Sequence, residues 1–306
     1  MVNSGTSIGM AAFGAIELGG TKSVCAVADR NGKILGKKII ATRSPNVTFS
    51  EISGFFHNAA NGPLFGIGVA SFGPVDISRD SSNYGTILNT PKVDWAGVSI
   101  LSALSEFEAP VAIDTDVNGA ALGEFMYGAG QEVPTLAYVT VGTGIGVGIL
   151  RFGEPLSGFG HYEMGHIRPY HDKDIDPYPG CCPVHDDCLE GLASGPALKA
   201  RWGAPLNVLE NTEKAIAAID LEADYLAGLA NTIIMTHMPH RIIFGGGVMK
   251  TEGLFDALKR KTAGLLGGYL DANEVSGNLE TYIVRPGLGD DAGVIGAIEL
   301  ARRITS

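Results

Sequence analysis

Two stretches of the chain follow one plan, and that plan limits what the chain can fold into. AFGAIELGG breaks at paired glycines and returns as TKSVCAVAD. TLAYVTVG breaks at glycine and returns as TGIGVGILR, with the turn Phe152-Gly153-Glu154-Pro155 behind it. Runs this rich in β-branched and small apolar residues read as strands, and glycine gives the turns between them their backbone freedom. The first hairpin continues through Arg30-Asn31-Gly32-Lys33, an Asn-Gly turn, into a third strand, ILGKKIIAT. FGIGVASF, VAID, RIIFGGGV and TYIVRP read as further strands. FSEISGFFHNAA, SILSALSEF, VNGAALGEFMYGA, LASGPALKARW, EGLFDALKRKTAGLL and DAGVIGAIELARRI have the spacing of helices. Between Thr212 and Thr236, the residues Ile216, Ile219, Leu226, Leu229, Ile233 and Ile234 keep one helical face. Two halves that each open on a glycine-turned hairpin imply an α/β protein with duplicated domains around a cleft. The expected bounds are 1–117 and 118–290, after a loose extension over residues 1–12. A closing helix near 290–306 is expected to pack back onto the first domain.

An insertion, residues 157–191, interrupts the second half with SGFGHYEMGHIRPYHDKDIDPYPGCCPVHDDCLEG. Cys182, His185 and Cys188 stand at steps of three, with His166 upstream. Two thiolates and two imidazoles suit a tetrahedral zinc whose four positions are all filled by protein, a structural rather than a catalytic site. Cys181, His161 and His171 are substitute ligands on sequence grounds alone. A surface loop with chance cysteines accounts badly for three of the four cysteines falling between 181 and 188. A disulfide is disfavoured because neighbouring cysteines rarely bridge. Glu163 and Glu190 lie among the would-be ligands and are carboxylates that zinc does not need. A closed metal site would pin them facing a substrate.

The chain has 306 residues, 45% of them hydrophobic, enough for two domains with substantial cores. Its net charge of −11 argues against nucleic acid and anionic membranes as partners. No apolar run is long enough for a transmembrane helix, and the first residues lack the pattern of an export signal, so a cytoplasmic protein is expected. An acidic chain that binds phosphate must supply positive potential locally. Gly19-Gly20-Thr21-Lys22 does so at the first hairpin, with approachable backbone N–H groups, a hydroxyl and an ammonium. Gly142-Thr143-Gly144 repeats the device at the second, and Gly245-Gly246-Gly247 follows a third strand. Neither a P-loop nor a dinucleotide fingerprint fits. Thr21 stands where the P-loop glycine should precede Lys22-Ser23, and Val147 and Ile149 occupy the positions of the fingerprint's third glycine. Asp116 follows VAID and opens a helix, where it is either an N-cap or a catalytic base; Asp114 competes for the same chemistry.

Taken together and in order, ELGGTK, DTDVNGAALGE, TVGTGIGVGI, EMGHI, GCCPVHDDCLEGLASGPA and IIFGGGVM resemble the ROK (repressor, open reading frame, kinase) family of sugar kinases. The resemblance runs from Phe13 onward. It implies two RNase H-like domains of the actin/hexokinase type, with sugar and ATP meeting in the cleft. It implies Asp116 as general base, in contact with the sugar, and Glu163, His166 and Glu190 as sugar ligands, His166 also binding zinc. Gly19, Gly20, Thr21, Lys22, Gly142, Thr143 and Gly144 would cradle phosphate. Pro196 and the run Gly245, Gly246, Gly247, Val248 and Met249 would border the nucleoside. Mg²⁺ is expected on the phosphates, held through water near Glu17, and a homodimer is implied. The Cys-Pro-x-His-x-x-Cys-Leu-Glu-Gly form is similar to bacterial fructokinases, so fructose is the expected acceptor. Glucose, mannose and N-acyl amino sugars are the alternatives, followed by a sugar-sensing protein without turnover and a zinc hydrolase. Many relatives carry Asn before the catalytic aspartate, where this chain has Thr115. Too few residues precede Glu17 for the DNA-binding domain of the family's repressors.

Overall fold

The computed structural model describes residues 12–209, 212–270, 275 and 278–305. The extension expected over residues 1–12 lies outside them except for Ala12. Ten strands are described: β1 (Ala12–Leu18), β2 (Lys22–Ala28), β3 (Ile34–Ala41), β4 (Leu64–Ser71), β5 (Val111–Thr115), β6 (Thr135–Val141), β7 (Ile145–Arg151), β8 (Glu154–Pro155), β9 (Arg241–Gly245) and β10 (Ile283–Val284). The principal helices are α1 (Pro45–Ala59), α2 (Asp116–Tyr127), α3 (Leu189–Ala193), α4 (Gly195–Trp202), α5 (Thr212–His237), α6 (Leu254–Leu266) and α7 (Ala292–Arg303). The chain divides into two compact units, one ending at Gly123 and resuming at Asp291, the other spanning Glu124–Asp290.

The first unit holds a five-stranded sheet in the order β3-β2-β1-β4-β5. β1 pairs antiparallel with β2 and parallel with β4, and β2 pairs antiparallel with β3. Both faces of the sheet are covered, which is why β1 is apolar without a break from Ala12 to Ile16. On one face α1 contributes Phe49, Ile52 and Phe56 to a core with Ile16, Leu18, Ile67, Val69, Trp95 and Leu104. On the other, α7 packs Val294, Ala297 and Ile298 against Ala15, Val24 and Ala70. Its approach is set by glycine. A Cβ on Gly68 would overlap the Ala297 carbonyl oxygen, and one on Gly296 the Gly119 carbonyl oxygen in α2.

The second unit repeats this topology. Its sheet runs β10-β9-β6-β7-β8, which from the other edge is β8-β7-β6-β9-β10. Here β6 pairs antiparallel with β7 and parallel with β9, as β1 does with β2 and β4. The duplication legible in the two hairpins is therefore a duplication of sheet order. α5 buries Ala223, Leu226, Leu229, Ala230, Ile233 and Ile234. Ile216, read as part of that face, is 62% exposed, because the helix begins beyond the edge of the core it covers.

Three further expectations shift. LASGPALKARW is two helices, broken at Ser194, since Pro196 cannot sit inside a continuous helix and instead takes an opening position of α4. SILSALSEF shrinks to a helical turn at Ile100–Ala103 followed by a 3₁₀ turn. TYIVRP is strand only over Ile283–Val284, with Leu279–Tyr282 helical before it. Among the described residues no helix is long and apolar enough to cross a membrane.

The glycine contacts make a paired prediction for chemical denaturation. Gly68→Ala should destabilise the protein by about 1–3 kcal/mol or more, because the overlap is with backbone. Gly54→Ala on the exposed side of α1, where a Cβ meets nothing within 4 Å, should be neutral or stabilising by about 0.5–1 kcal/mol.

Candidate active site

The first glycine turn joins β1 to β2. Its carbonyls are tied back by Thr42, whose Oγ1 donates to Gly19 O at 2.7 Å and whose N–H donates to Thr21 O at 2.9 Å. A Cβ on Gly19 would stand 2.5 Å from the Lys22 carbonyl oxygen, whereas one on Gly20 would meet nothing within 4 Å. Gly19 is thus required by the turn itself, and Gly20 by neither packing nor a positive φ. Thr21 and Lys22 are exposed beside it.

Asp116 opens α2 as expected, but the cap lies elsewhere. Thr115, 3% exposed, accepts the Asn118 N–H on Oγ1 at 3.1 Å, the bond an N-cap side chain makes to the third helical residue. Asp116 Oδ1 accepts the N–H of Val117 at 2.9 Å. Asp114 is engaged with its own surroundings, its Oδ1 accepting from Asn118 Nδ2 and from the Thr115 N–H, both at 2.7 Å. Thr115 therefore puts a β-branched cap under the helix.

In the second unit, three predicted elements converge. Gly142 N donates to Gly144 O at 2.9 Å, closing the turn between β6 and β7, and Gly142 O accepts from Gly195 N at 2.8 Å. A Cβ on Gly195 would lie 3.9 Å from Val248 Cγ2, so the exposed Pro196 and the Gly245–Met249 run adjoin the turn. Gly246 has φ +91°, and a Cβ there would overlap the Val141 carbonyl oxygen. Gly142 and Gly247, like Gly20, would meet nothing within 4 Å. Gly245 is buried and Met249, 2% exposed, belongs to the core, leaving Gly246, Gly247 and Val248 as the accessible part of that run.

The insertion brings four donors together. The ligand atoms of His166, Cys182, His185 and Cys188 all lie within 4.8 Å of one another. His166 Nδ1 is 3.4 Å from Cys188 Sγ and 3.9 Å from Cys182 Sγ, and His185 Nδ1 is 3.8 Å from Cys182 Sγ. Tetrahedral bonds of about 2.0–2.3 Å place neighbouring donors roughly 3.3–3.8 Å apart, so the set fits zinc. The loop closes through paired hydrogen bonds between Cys182 and Asp186, with Asp186 at φ +50°. Burial pushes the Cys188 thiol up to about 11, so a cation must stand beside this sulfur for it to be a thiolate at neutral pH. The substitute ligands lie elsewhere. Cys181 is exposed, His161 Nδ1 is 3.5 Å from Glu163 Oε1, and His171 Nε2 is 2.8 Å from the Asp176 carbonyl oxygen. Glu163 precedes the 3₁₀ turn that carries His166 and is 47% exposed. Glu190 lies in the first turn of α3, and its Oε2 accepts the Ile145 N–H at 2.9 Å.

Several contributors escaped sequence reasoning. Asp176, in the insertion, accepts Tyr225 OH at 2.6 Å and lies 2.9 Å from Arg201 Nη2, while Arg201 Nη1 donates to Leu192 O at 2.8 Å. Arg285 Nη1 donates to Met249 O at 2.9 Å, and its guanidinium lies 4.4 Å from the Phe255 ring centre. The buried Glu124 accepts the N–H groups of Ala129, Gly287 and Leu288. A lone acid inside an apolar helix was the only trace of this last role.

The model of the ROK family matches residues 13–304. A putative fructokinase of Bacillus subtilis is 42% identical over 293 residues, 95% of each chain. A fructokinase of Zymomonas mobilis is 42% identical over 295 residues, 94% of this chain and 96% of its own. Among solved structures, the ROK hexokinase of Thermus thermophilus has a TM-score of 0.75 at 28% identity, over 96% of this chain and 98% of its own. A ROK glucokinase of Streptomyces griseus, in complex with glucose and AMPPNP, has a TM-score of 0.76 at 25% identity, over 95% and 99%. The two five-stranded α/β units are those of this actin/hexokinase-type fold.

The donor geometry makes a definite prediction. Metal-stripped protein titrated with Zn²⁺ against a chromogenic chelator should take up a single tightly held ion per chain. Cys188→Ser or His185→Ala should abolish that uptake and Cys181→Ser should spare it. Tight uptake surviving Cys188→Ser would rule the donor set out.

Proposed function

The chain belongs to the ROK family, and from that membership we propose that it phosphorylates D-fructose with ATP, giving fructose 6-phosphate. The observation that carries the choice of acceptor is the 42% identity, over nearly the whole length, to two proteins described as fructokinases. The Cys-Pro-Val-His form of the insertion, with His185 as donor, agrees with it.

Phosphoryl transfer asks the protein mainly for in-line placement and neutralisation of charge. Asp116 takes the proton of the attacking hydroxyl. Thr115 already supplies the helix cap, so capping does not account for an acid at 116. Glu163, His166 and Glu190 hold the sugar hydroxyls. Gly20, Thr21 and Lys22, and Gly142–Gly144, receive phosphate. The open space at Gly20 supports this, since a side chain there would meet no protein; Gly142 is equally open, although its own N–H is spent on Gly144 O. Gly247, Val248 and Pro196 border the nucleoside. Mg²⁺, when bound with the nucleotide, would supply neutralisation of phosphate charge, and Glu17 near the end of β1 would hold it through its water shell. His166, Cys182, His185 and Cys188 would hold zinc with protein donors alone, and the ion would serve as a staple.

ADP release measured across a hexose panel tests the reading. Fructose should give the highest kcat/KM, ahead of glucose, mannose and N-acetylmannosamine. A better acceptor among these would displace fructose, and silence with every hexose would end the kinase assignment. Asp116→Asn should lower kcat by about 10²–10⁴ while hexose binding persists. Turnover near the wild-type rate would remove Asp116 from the role of base.

A further inference from the structure

Glu190 faces two ways. As a sugar ligand it would meet a hydroxyl, yet its Oε2 already accepts the Ile145 N–H at 2.9 Å. Ile145 is the first residue of β7, directly after Gly144. A Cβ on Gly144 would stand 2.6 Å from that same oxygen, so the carboxylate lies against the exit of the turn. At the entry, Gly142 O accepts from Gly195 N at 2.8 Å. Between Glu190 and Gly195 lie only the rest of α3 and Ser194, whose Oγ accepts the Ala197 N–H at the start of α4. One short segment therefore grips both ends of the glycine turn, by a side chain at one end and main chain at the other. A carboxylate accepting a backbone N–H is a charge-assisted bond, and Ile145 is only 5% exposed, so the bond is well screened from water.

We propose that Glu190 positions the phosphate-binding turn as well as the hexose, so that one carboxylate couples the two substrate sites. The inference rests on the reading of Gly142–Gly144 as a phosphate turn and of Glu190 as a sugar ligand. Oε2 holds the turn and Oε1 is the oxygen left to the sugar. Without Oε2, the Ile145 N–H loses its acceptor, and the turn loses the contact that fixes where its N–H groups point. Glutamine would keep a carbonyl-type oxygen for Ile145 while presenting an amide to the sugar. Alanine would remove both.

The experiment is calorimetric binding of a non-hydrolysable ATP analogue without sugar, and of fructose without nucleotide. It compares wild type with Glu190→Ala, Glu190→Gln and Glu163→Ala. Glu190→Ala should weaken both ligands, the nucleotide by about tenfold or more. Glu190→Gln should restore nucleotide affinity to within about threefold of wild type while fructose stays weak. Glu163→Ala should weaken fructose alone. Wild-type nucleotide affinity in Glu190→Ala would overturn the coupling. So would a Gln variant as weak for nucleotide as the Ala variant, or an equal nucleotide loss in Glu163→Ala. If Glu190→Ala does not fold, Glu190→Asp replaces it. That variant keeps the charge but loses the reach, so its nucleotide affinity should fall likewise, and unchanged affinity would again overturn the coupling. A wild-type protein that binds no ATP analogue would instead bring down the functional reading and the coupling with it.

Discussion

The candidate site of the second unit depends on how one glycine turn is held. Gly142–Gly144 is closed by its own Gly142 N to Gly144 O bond and gripped from outside by Gly195 N at one end and Glu190 at the other. Those two residues follow Cys188, which precedes α3, is fully buried and belongs to the His/Cys cluster. Placement thus passes along the chain from cluster to α3 to turn within a few residues. The first unit meets the same need differently. Its turn is held by the carbonyls of Gly19 and Thr21 against Thr42, on the strand end next to β2. The duplicated sheets share one topology, but the turns they present are supported by unrelated local chemistry.

What the sequence could reveal follows from this. The two hairpins, the sheet-forming runs and the donor cluster leave marks at short range, in alternation, turn residues and spacing, and all were legible. Roles decided by a neighbour's side chain were not. Asp116 and Thr115 are both acceptable at a helix start, and only the geometry shows that the threonine hydroxyl takes the Asn118 N–H. Met249 looked like part of a nucleotide-facing run, but the 3₁₀ turn over Val248–Lys250 folds its side chain into the core. The break at Ser194 had a local cause in Pro196, and the helical spacing of the flanking residues outweighed it.

The least legible feature is the polar cluster under the insertion. Asp176, Arg201 and Tyr225 are far apart in sequence and share no period, yet each is nearly enclosed. Arg201 lies between the rings of Tyr178 and Tyr225, 4.6 Å and 5.7 Å from their centres, and pairs with Asp176. Glu222 is fully buried beside this group, and burial holds its carboxyl well above the usual range. Burial favours the neutral form of Glu222, and the carboxylate that pairs with the guanidinium is Asp176.

The Asp176–Arg201 pair bears on what the His/Cys cluster is for. A long insertion without regular structure loses much conformational entropy on ordering, and two anchors share that cost. Arg201 ties Asp176, mid-insertion, to α4 and to the last carbonyls of α3 through Leu192. That anchor needs no metal. The donors at 166, 182, 185 and 188 fix a different part, the two arms that carry Glu163 and Glu190. Because the ion pair already fastens the middle of the loop, a metal held here would have the narrower task of setting where two carboxylates point. Orientation of that kind requires a coordination sphere closed by protein, and a two-thiolate, two-imidazole set provides one.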